Sequence, residues 1–210
     1  MYCNIFIPVG DNRPTETLEL HRKVMTHFGL MGYTKYMHFP FPSISHGTAL
    51  NHIVNSVDTD CYIFMENDSI PTNKDFLKTI LSKISDDRTI FGQAQQSNHL
   101  FTNGTNQHVY AGPGCLAFTK KCYNDLGRPT LDFTSRSDCA EELTWVAKEK
   151  GYNLCFVYPS DVLVKNCSLD NGLYFGLGNQ YGDLFYHAMQ QSNPLSQTHF
   201  ESKCKSILGV

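Results

Sequence analysis

The sequence predicts an α/β layered protein. Three observations carry that expectation. Short runs rich in strand formers alternate with stretches of helical period. Glycine, proline and small polar residues punctuate the changeovers. The apolar run Tyr62-Ile63-Phe64-Met65 stops abruptly at two carboxylates, Glu66-Asn67-Asp68, before Ser69-Ile70-Pro71. A hydrophobic core has no use for those acids, so they belong at a strand's exposed end.

The elements follow in order. Tyr2 to Pro8 reads as a first strand and Gly10-Asp11-Asn12-Arg13 as a polar loop. Pro14 opens a helix, and Leu18, His21, Met25 and Phe28 keep helical spacing. Tyr33 to Phe39 is a second strand, and Pro40-Phe41-Pro42-Ser43 a loop. Ser45 or Thr48 caps a helix carrying Leu50, Ile53, Val54 and Val57. Cys61 to Met65 is the third strand. Thr72 with Asp75 resembles a capping box, ahead of an amphipathic stripe of Phe76, Leu77, Ile80, Leu81 and Ile84. Thr89 to Ala94 is a strand, and Gln95 to Gln107 a polar loop.

Val109 to Phe118 is strand-like but broken by Gly112-Pro113-Gly114, with a short helix from Thr119 to Leu126 behind it. After a loop, Ser137 or Asp138 starts a helix with Leu143, Val146 and Ala147 inward, stopping near Gly151. Asn153 to Tyr158 and Val162 to Lys165 are late strands. Residues 166–182 read as glycine-rich loop, and Tyr181 to Met189 as a helix or an extended segment. No repeat or linker divides the 210 residues, so one domain is expected.

Composition narrows the classes. The chain has 14 Phe, 11 Tyr and one Trp, a net charge of -3 and no Lys/Arg block. No dedicated nucleic-acid binding is expected. The first residues lack a basic region and cleavage site and read as a strand, not a signal peptide. No apolar run reaches the roughly 18 residues of a membrane span. The eight cysteines form no CxxC pair, so the common zinc spacings are absent. Cys3, Cys61, Cys115 and Cys155 are expected as small buried hydrophobes, without a disulfide framework. Asn67 heads an N-x-S/T sequon, and a glycan there would ruin the acidic site. That points to a cytoplasmic, non-secreted setting.

Five segments could carry chemistry. Acids two apart at a strand exit suit a hard divalent cation that also holds phosphate oxygens; the bland reading of Glu66 and Asp68 is a solvated turn. His46-Gly47 at a helix start, with Asn51, could meet a nucleotide or sugar, or simply cap the helix. Asp138, Glu141 and Glu142 fall at i, i+3 and i+4 of the expected helix, where one could act as general base or merely suit the helix dipole. His187 follows an aromatic run and could be a third ligand, or a core histidine. In Gly10-Asp11-Asn12-Arg13, Asp11 could accept from a base or ribose and Arg13 could meet phosphate.

In this order the segments resemble the GT-A-fold glycosyltransferases that use nucleotide sugars, most nearly the GT2-like group. The likeness runs from residue 2 to 190. Asp58 to Pro71 resembles the segment with the family's D-x-D motif, Tyr110 to Phe118 its small-residue pocket segment, and Asp138 to Gly151 its acidic helix before Gly-Tyr. His187 falls where many members place a late metal-binding histidine. The resemblance implies a single GT-A-type domain with a central, mixed, mostly parallel sheet flanked by helices. Its nucleotide-binding half would be about 1–70 and its acceptor half about 71–190.

It also implies Mn²⁺ or Mg²⁺ held by Asp68 and His187, with Glu66, a departure from the usual first Asp, as ligand or ribose contact. The UDP-sugar donor, glucose as first choice, would meet Pro8, Gly10, Asp11, Arg13, His46, Gly47, Asn51, Glu66, Asn67 and Gly112. A glycan or other hydroxyl acceptor would be activated by Asp138, Glu141 or Glu142. Segments 95–107 and 166–182 are candidate lids. The Gln-x-x-Arg-Trp pattern of processive synthases is absent, which favours single transfer. A small virus-encoded member, such as a chlorella-virus enzyme of this class, or a bacterial one suits the compact chain. The competing readings are a nucleotidyltransferase, which would need a glycine-rich basic loop after strand one, and a non-catalytic carbohydrate- or nucleotide-binding module.

Overall fold

A computed structural model of the chain describes residues 2–11, 14–98, 109–189 and 193–210. Its elements in chain order are β1 (Cys3–Gly10), α1 (Thr15–His27), β2 (Thr34–Phe39), α2 (His46–Ser56), β3 (Cys61–Met65), β4 (Ser69–Pro71), α3 (Phe76–Lys83), β5 (Thr89–Gln96), β6 (Val109–Thr119), α4 (Lys120–Asp125), α5 (Glu141–Glu149), β7 (Asn153–Val157), β8 (Asp161–Ser168), β9 (Tyr174–Tyr181), β10 (Phe185–His187) and α6 (Pro194–Leu208).

Six strands form the main sheet, in the order β2-β1-β3-β6-β5-β7. β6 runs against both neighbours, while the β1–β2, β1–β3 and β5–β7 pairs are parallel. The carboxyl ends of β1, β3 and β5 therefore share one edge of the sheet. The fold is the expected α/β arrangement with a mixed, mostly parallel sheet. A second sheet, β4-β10-β9-β8, is antiparallel.

Strand alternation splits the core in two. Phe6, Tyr62, Phe64, Leu116 and Phe118 face α2, α4 and α5, meeting Leu50, Ile53, Tyr123 and Leu143. Ile5, Ile7, Ile63, Met65 and Ala117 face α1 and α3, meeting Leu18, Met25, Phe76 and Ile80. Each Ile, Leu, Met or Phe among them contributes about 1.5–3 kcal/mol when fully buried; the strands are apolar on both faces and helices cover both.

Several expectations change. Ser45, not Thr48, caps α2, its oxygen accepting from Thr48 N. Thr72 caps nothing: its hydroxyl donates to Asp183 O, and Asn73 Oδ1 takes the Asp75 N–H. β6 is unbroken. Its register against β5 jumps from Leu116 to Gly112, so Pro113, Gly114 and Cys115 have no partner on β5, while Cys115 to Thr119 stay paired to β3. Residues 166–182 are not a loop lid; they end β8 and form β9. Gly176 lies so close to the Val164 carbonyl that a Cβ would overlap it, which is why glycine sits inside a strand there. Of the other proposed lid, residues 99–107 lie outside the described residues.

Tyr181 to Met189 is no helix: Tyr181 ends β9, a turn follows, and Phe185–His187 form β10. α6 carried no expectation, although Asn193 caps it with Pro194 in its first turn. Cys3 and Cys61, in register on β1 and β3, are joined as a disulfide with Cα atoms 5.0 Å apart, and the other six cysteines are free. The parallel pairing puts two residues 58 apart face to face, which sequence spacing alone does not reveal. Among the described residues no helix is long and apolar enough to cross a membrane.

Candidate functional site

The shared edge is where the acids sit. β3 ends at Met65, and Glu66, Asn67 and Asp68 make the turn into β4. β4 pairs with β10 in the register His187↔Ser69, and Ala188 N donates to Asp68 O at 2.9 Å. That short ladder brings His187 to residues more than a hundred positions earlier. Ligand atoms of Glu66, Asp68 and His187 all lie within 4.8 Å of one another.

His187 is held from behind. Gln93 Nε2 donates to Gln95 Oε1 at 3.2 Å, so Gln93 Oε1 faces the imidazole and accepts from Nδ1 at 2.9 Å. This leaves Nε2 directed at Glu66 Oε2, 2.9 Å away, and Asp68 Oδ1, 3.4 Å away. A supported imidazole aiming one nitrogen at two carboxylates is the usual arrangement of a metal-ligating histidine. Burial opposes charge on His187, but Asp68 and Glu66 outweigh it and hold its pKa up at about 9. A cation arriving at Nε2 would displace that proton.

The donor set fits a divalent cation. Asp68 Oδ1 is buried with no hydrogen-bond partner. His187 stands at ion-pair distance only, its Nε2 being closer to Glu66. A buried carboxylate oxygen in that position needs a positive partner. Two carboxylates with one imidazole suit Mn²⁺ better than the oxygen-only preference of Mg²⁺ or Ca²⁺.

Glu66 also meets His46, whose Nδ1 is 3.2 Å from Oε1. Burial opposes ionisation of Glu66, but both histidines hold its pKa well below the ordinary range. Burial likewise opposes charge on His46, and Cys139 and Glu66 push its pKa well above the usual value. Cys139 remains a thiol because burial raises it, so Glu66 is the charged partner. Phe41 stacks edge-on against the His46 ring at 6.1 Å.

The other proposed positions divide. Asn67 Nδ2 donates to Pro8 O at 3.4 Å, which ties the acidic turn to the end of β1. Gly10 ends β1 on the same edge and Asp11 follows it, exposed; Arg13 lies outside the described residues. Gly47 does not leave room for a ligand: a Cβ there would run into the backbone of Leu131 and Asp132. Asn51 holds the same loop, donating to Thr130 Oγ1 at 3.0 Å and accepting from Leu131 N at 2.9 Å. Both residues fix the 130–132 loop on α2, whose Asp132 accepts from Ser45 and Thr48.

The three acids do not share a helix face. α5 starts at Glu141, not at Ser137 or Asp138, because Ala140 is left-handed with φ 65°. Glu141 is fully buried and turns back, its Oε2 accepting from Asp138 N at 2.7 Å. Glu142 pairs with the exposed Arg136. Asp138 is buried, and its Oδ2 accepts from Asn98 N at 2.9 Å, just past the carboxyl end of β5. Its neighbour Cys139 lies close enough to His46 to act on its charge. Of the three, Asp138 therefore stands at the edge occupied by Glu66.

Sequence reasoning passed over Gln93, Gly114 and Cys139. Gln93 is fully buried between Gly92 and Ala94 of β5, a strand that also carries Gln95 and Gln96, so its type alone did not single it out. Gly112 was the glycine chosen, and it packs against Gln95 and Gln93. Gly114 is the one against His187: a Cβ there would stand 2.5 Å from its Cε1.

No protein-family profile matches the chain, and no curated protein sequence does. Solved structures match its fold. A mutant Drosophila β-1,4-galactosyltransferase 7 in complex with manganese, UDP-Gal and xylobiose matches with a TM-score of 0.50, 12% identity, 90% of this chain and 72% of that one. CMP:2-keto-3-deoxy-manno-octonic acid synthetase with CTP matches at 0.45, with 12% identity, 75% of this chain and 90% of that one. The bifunctional IspDF of Campylobacter jejuni matches at 0.45, with 9% identity, 83% and 52%. At these identities the likeness is one of fold, a GT-A-like α/β fold.

Proposed function

We propose that the chain is a metal-dependent glycosyltransferase moving a sugar, glucose as first choice, from a UDP-sugar to an acceptor hydroxyl. One observation carries the reading. Glu66, Asp68 and His187 converge at the carboxyl edge of a GT-A-like sheet, with a buried Asp68 oxygen lacking a hydrogen-bond partner. The galactosyltransferase structure, a complex with manganese, UDP-Gal and xylobiose, supports ligands of the same class here.

Asp68, His187 and Glu66 would hold Mn²⁺, or Mg²⁺ in its place. When bound, the ion supplies positive charge for a departing diphosphate. Gln93 fixes the His187 ring, and His46 fixes the second Glu66 oxygen. Pro8, Gly10 and Asp11, at the exit of β1, would border the nucleotide, and Gly112 the sugar. Asp138 would accept the acceptor's proton, while Glu141 and the left-handed Ala140 hold it in place. The chain acts as one domain, with the donor half before residue 70 and the acceptor half after it. The Gly10 to Pro14 exit, short and with one glycine, favours this reading over a nucleotidyltransferase.

Thermal unfolding against UDP, GDP, CTP and UDP-sugars, with and without Mn²⁺, tests the function. A midpoint rise with UDP and UDP-sugars only when Mn²⁺ is present is expected. A rise with CTP and Mn²⁺ but not UDP would turn the reading to nucleotidyl transfer. No rise with any nucleotide and metal would sink both.

Gly114 offers a second check. Gly114→Ala pushes its new methyl into the His187–Gln93 contact. Mn²⁺ affinity should fall by about 10- to 100-fold, the scale of losing a ligand's supporting partner. Calorimetric titration with Mn²⁺ measures it, and an unchanged affinity would remove His187 from the site.

A further inference from the structure

Tyr186 and His187 are neighbours on β10 and so project to opposite faces of the small sheet. His187 meets the acids. Tyr186 faces α6, packed with Phe200 and Cys204. There a cleft of about 320 Å³ opens, walled by Asp161, Gln180, Tyr186, His199, Ser202 and Lys203. None of these residues belongs to the site described above.

Two polar atoms on this wall are buried and have no hydrogen-bond partner, Tyr186 OH and Gln180 Oε1. Tyr186 is 5% exposed. Gln180 Nε2 is already engaged, donating to Gly182 O at 2.6 Å and Phe185 O at 3.1 Å. That fixes the amide and leaves its carbonyl oxygen over. Gly178 is left-handed at φ 60°, and a Cβ there would stand 2.7 Å from the Tyr186 hydroxyl. Its lack of a side chain leaves space beside the hydroxyl.

We infer that this cleft binds a saccharide unit, at a subsite separate from Glu66, Asp68 and His187. The wall mixes donors and acceptors at close quarters. Tyr186, Lys203 and the serine hydroxyl offer protons, while Gln180 Oε1 and Asp161 accept them. A sugar ring carries both roles on adjacent hydroxyls. Asp161 opposes Lys203 in charge, and the acceptor oxygens disfavour an anion such as phosphate. Leu163, 36% exposed on the same wall, offers an apolar surface to the ring's C–H face. The volume lies at the low end for ligand pockets, roughly 300–1,000 Å³, which suits one or two rings. The inference stands on the cleft and does not depend on the donor site.

Amide NMR of the ¹⁵N-labelled chain tests it, with glucose, xylose, maltose and cellobiose as probes and inorganic phosphate as control. At least one sugar should move amides in 178–186 and 199–206 saturably, and phosphate should not. Tyr186→Phe should weaken that sugar by about three- to tenfold, the worth of one hydrogen bond. Ser202→Trp, on the exposed rim, should block it without entering the core. Each variant's remaining amides, superimposable on the parent's, report an intact fold. The subsite is overturned if no sugar moves those amides, if phosphate moves them equally, or if binding survives both substitutions.

Discussion

Asp68→Ala is expected to abolish the metal dependence of UDP binding. Its Oδ1 is buried with no hydrogen-bond partner, so a bound cation should contribute most through this oxygen. Mn²⁺ affinity should drop by more than roughly 100-fold, beyond the loss seen when only a ligand's supporting partner goes. The ion-free protein should lose some stability as well, because Asp68 stands at ion-pair distance from His187 and helps hold its charge, although His187 keeps Glu66 and Gln93. Two measurements check this together: Mn²⁺ titration, and the unfolding midpoint without metal. A variant that binds UDP and Mn²⁺ as tightly as the parent would place the site elsewhere.

The second large effect concerns the acid that takes the acceptor's proton. Asp138→Asn should lower kcat by about 10²- to 10⁴-fold, the range for removing a general base, while Mn²⁺ and UDP binding stay near the parent's. Asparagine keeps an oxygen for the Asn98 N–H, so the turn should survive. Glu142→Gln should cost little, because Glu142 pairs with an exposed arginine. Glu141→Gln should act on stability first, since Glu141 is buried and caps back onto Asp138 N. Steady-state rates beside nucleotide titration separate these effects. A full loss in Glu142→Gln with Asp138→Asn unaffected would reverse the assignment.

Much of the main sheet was legible because its signals are local. β3 ends where Met65 gives way to Glu66, and α3 shows its buried stripe in sequence. Of the small sheet only β8 was legible, as Val162 to Lys165. β4 and β10 have three residues each, too few for a period, and only pairing with distant partners makes them strands. β9 carries glycines that normally mark loops; here Gly176 relieves a close approach of the β8 backbone and Gly178 takes a left-handed conformation. The acids of 138–142 were read on a regular helix, but one left-handed residue, Ala140, delays its start and turns them apart. His187 was singled out in sequence as a late histidine. Its supporting Gln93 was not, because a buried glutamine is meaningful only once its partner is in view.

The β4–β10 ladder makes the Glu66–His187 contact a clasp on the chain's path. The two residues lie 121 positions apart, and β5 to β9, with α3 to α5, fall between them. An ion gripping both ends would close that entire stretch into a ring. Loop-closure entropy grows only slowly with length, yet a ring this long is among those where closure stabilises most in theory. Loading with metal should therefore slow opening of the whole middle of the chain. Hydrogen exchange in α4, which follows the Thr119 end of β6 beside the amino end of β3 and away from the ion, would then follow its occupancy.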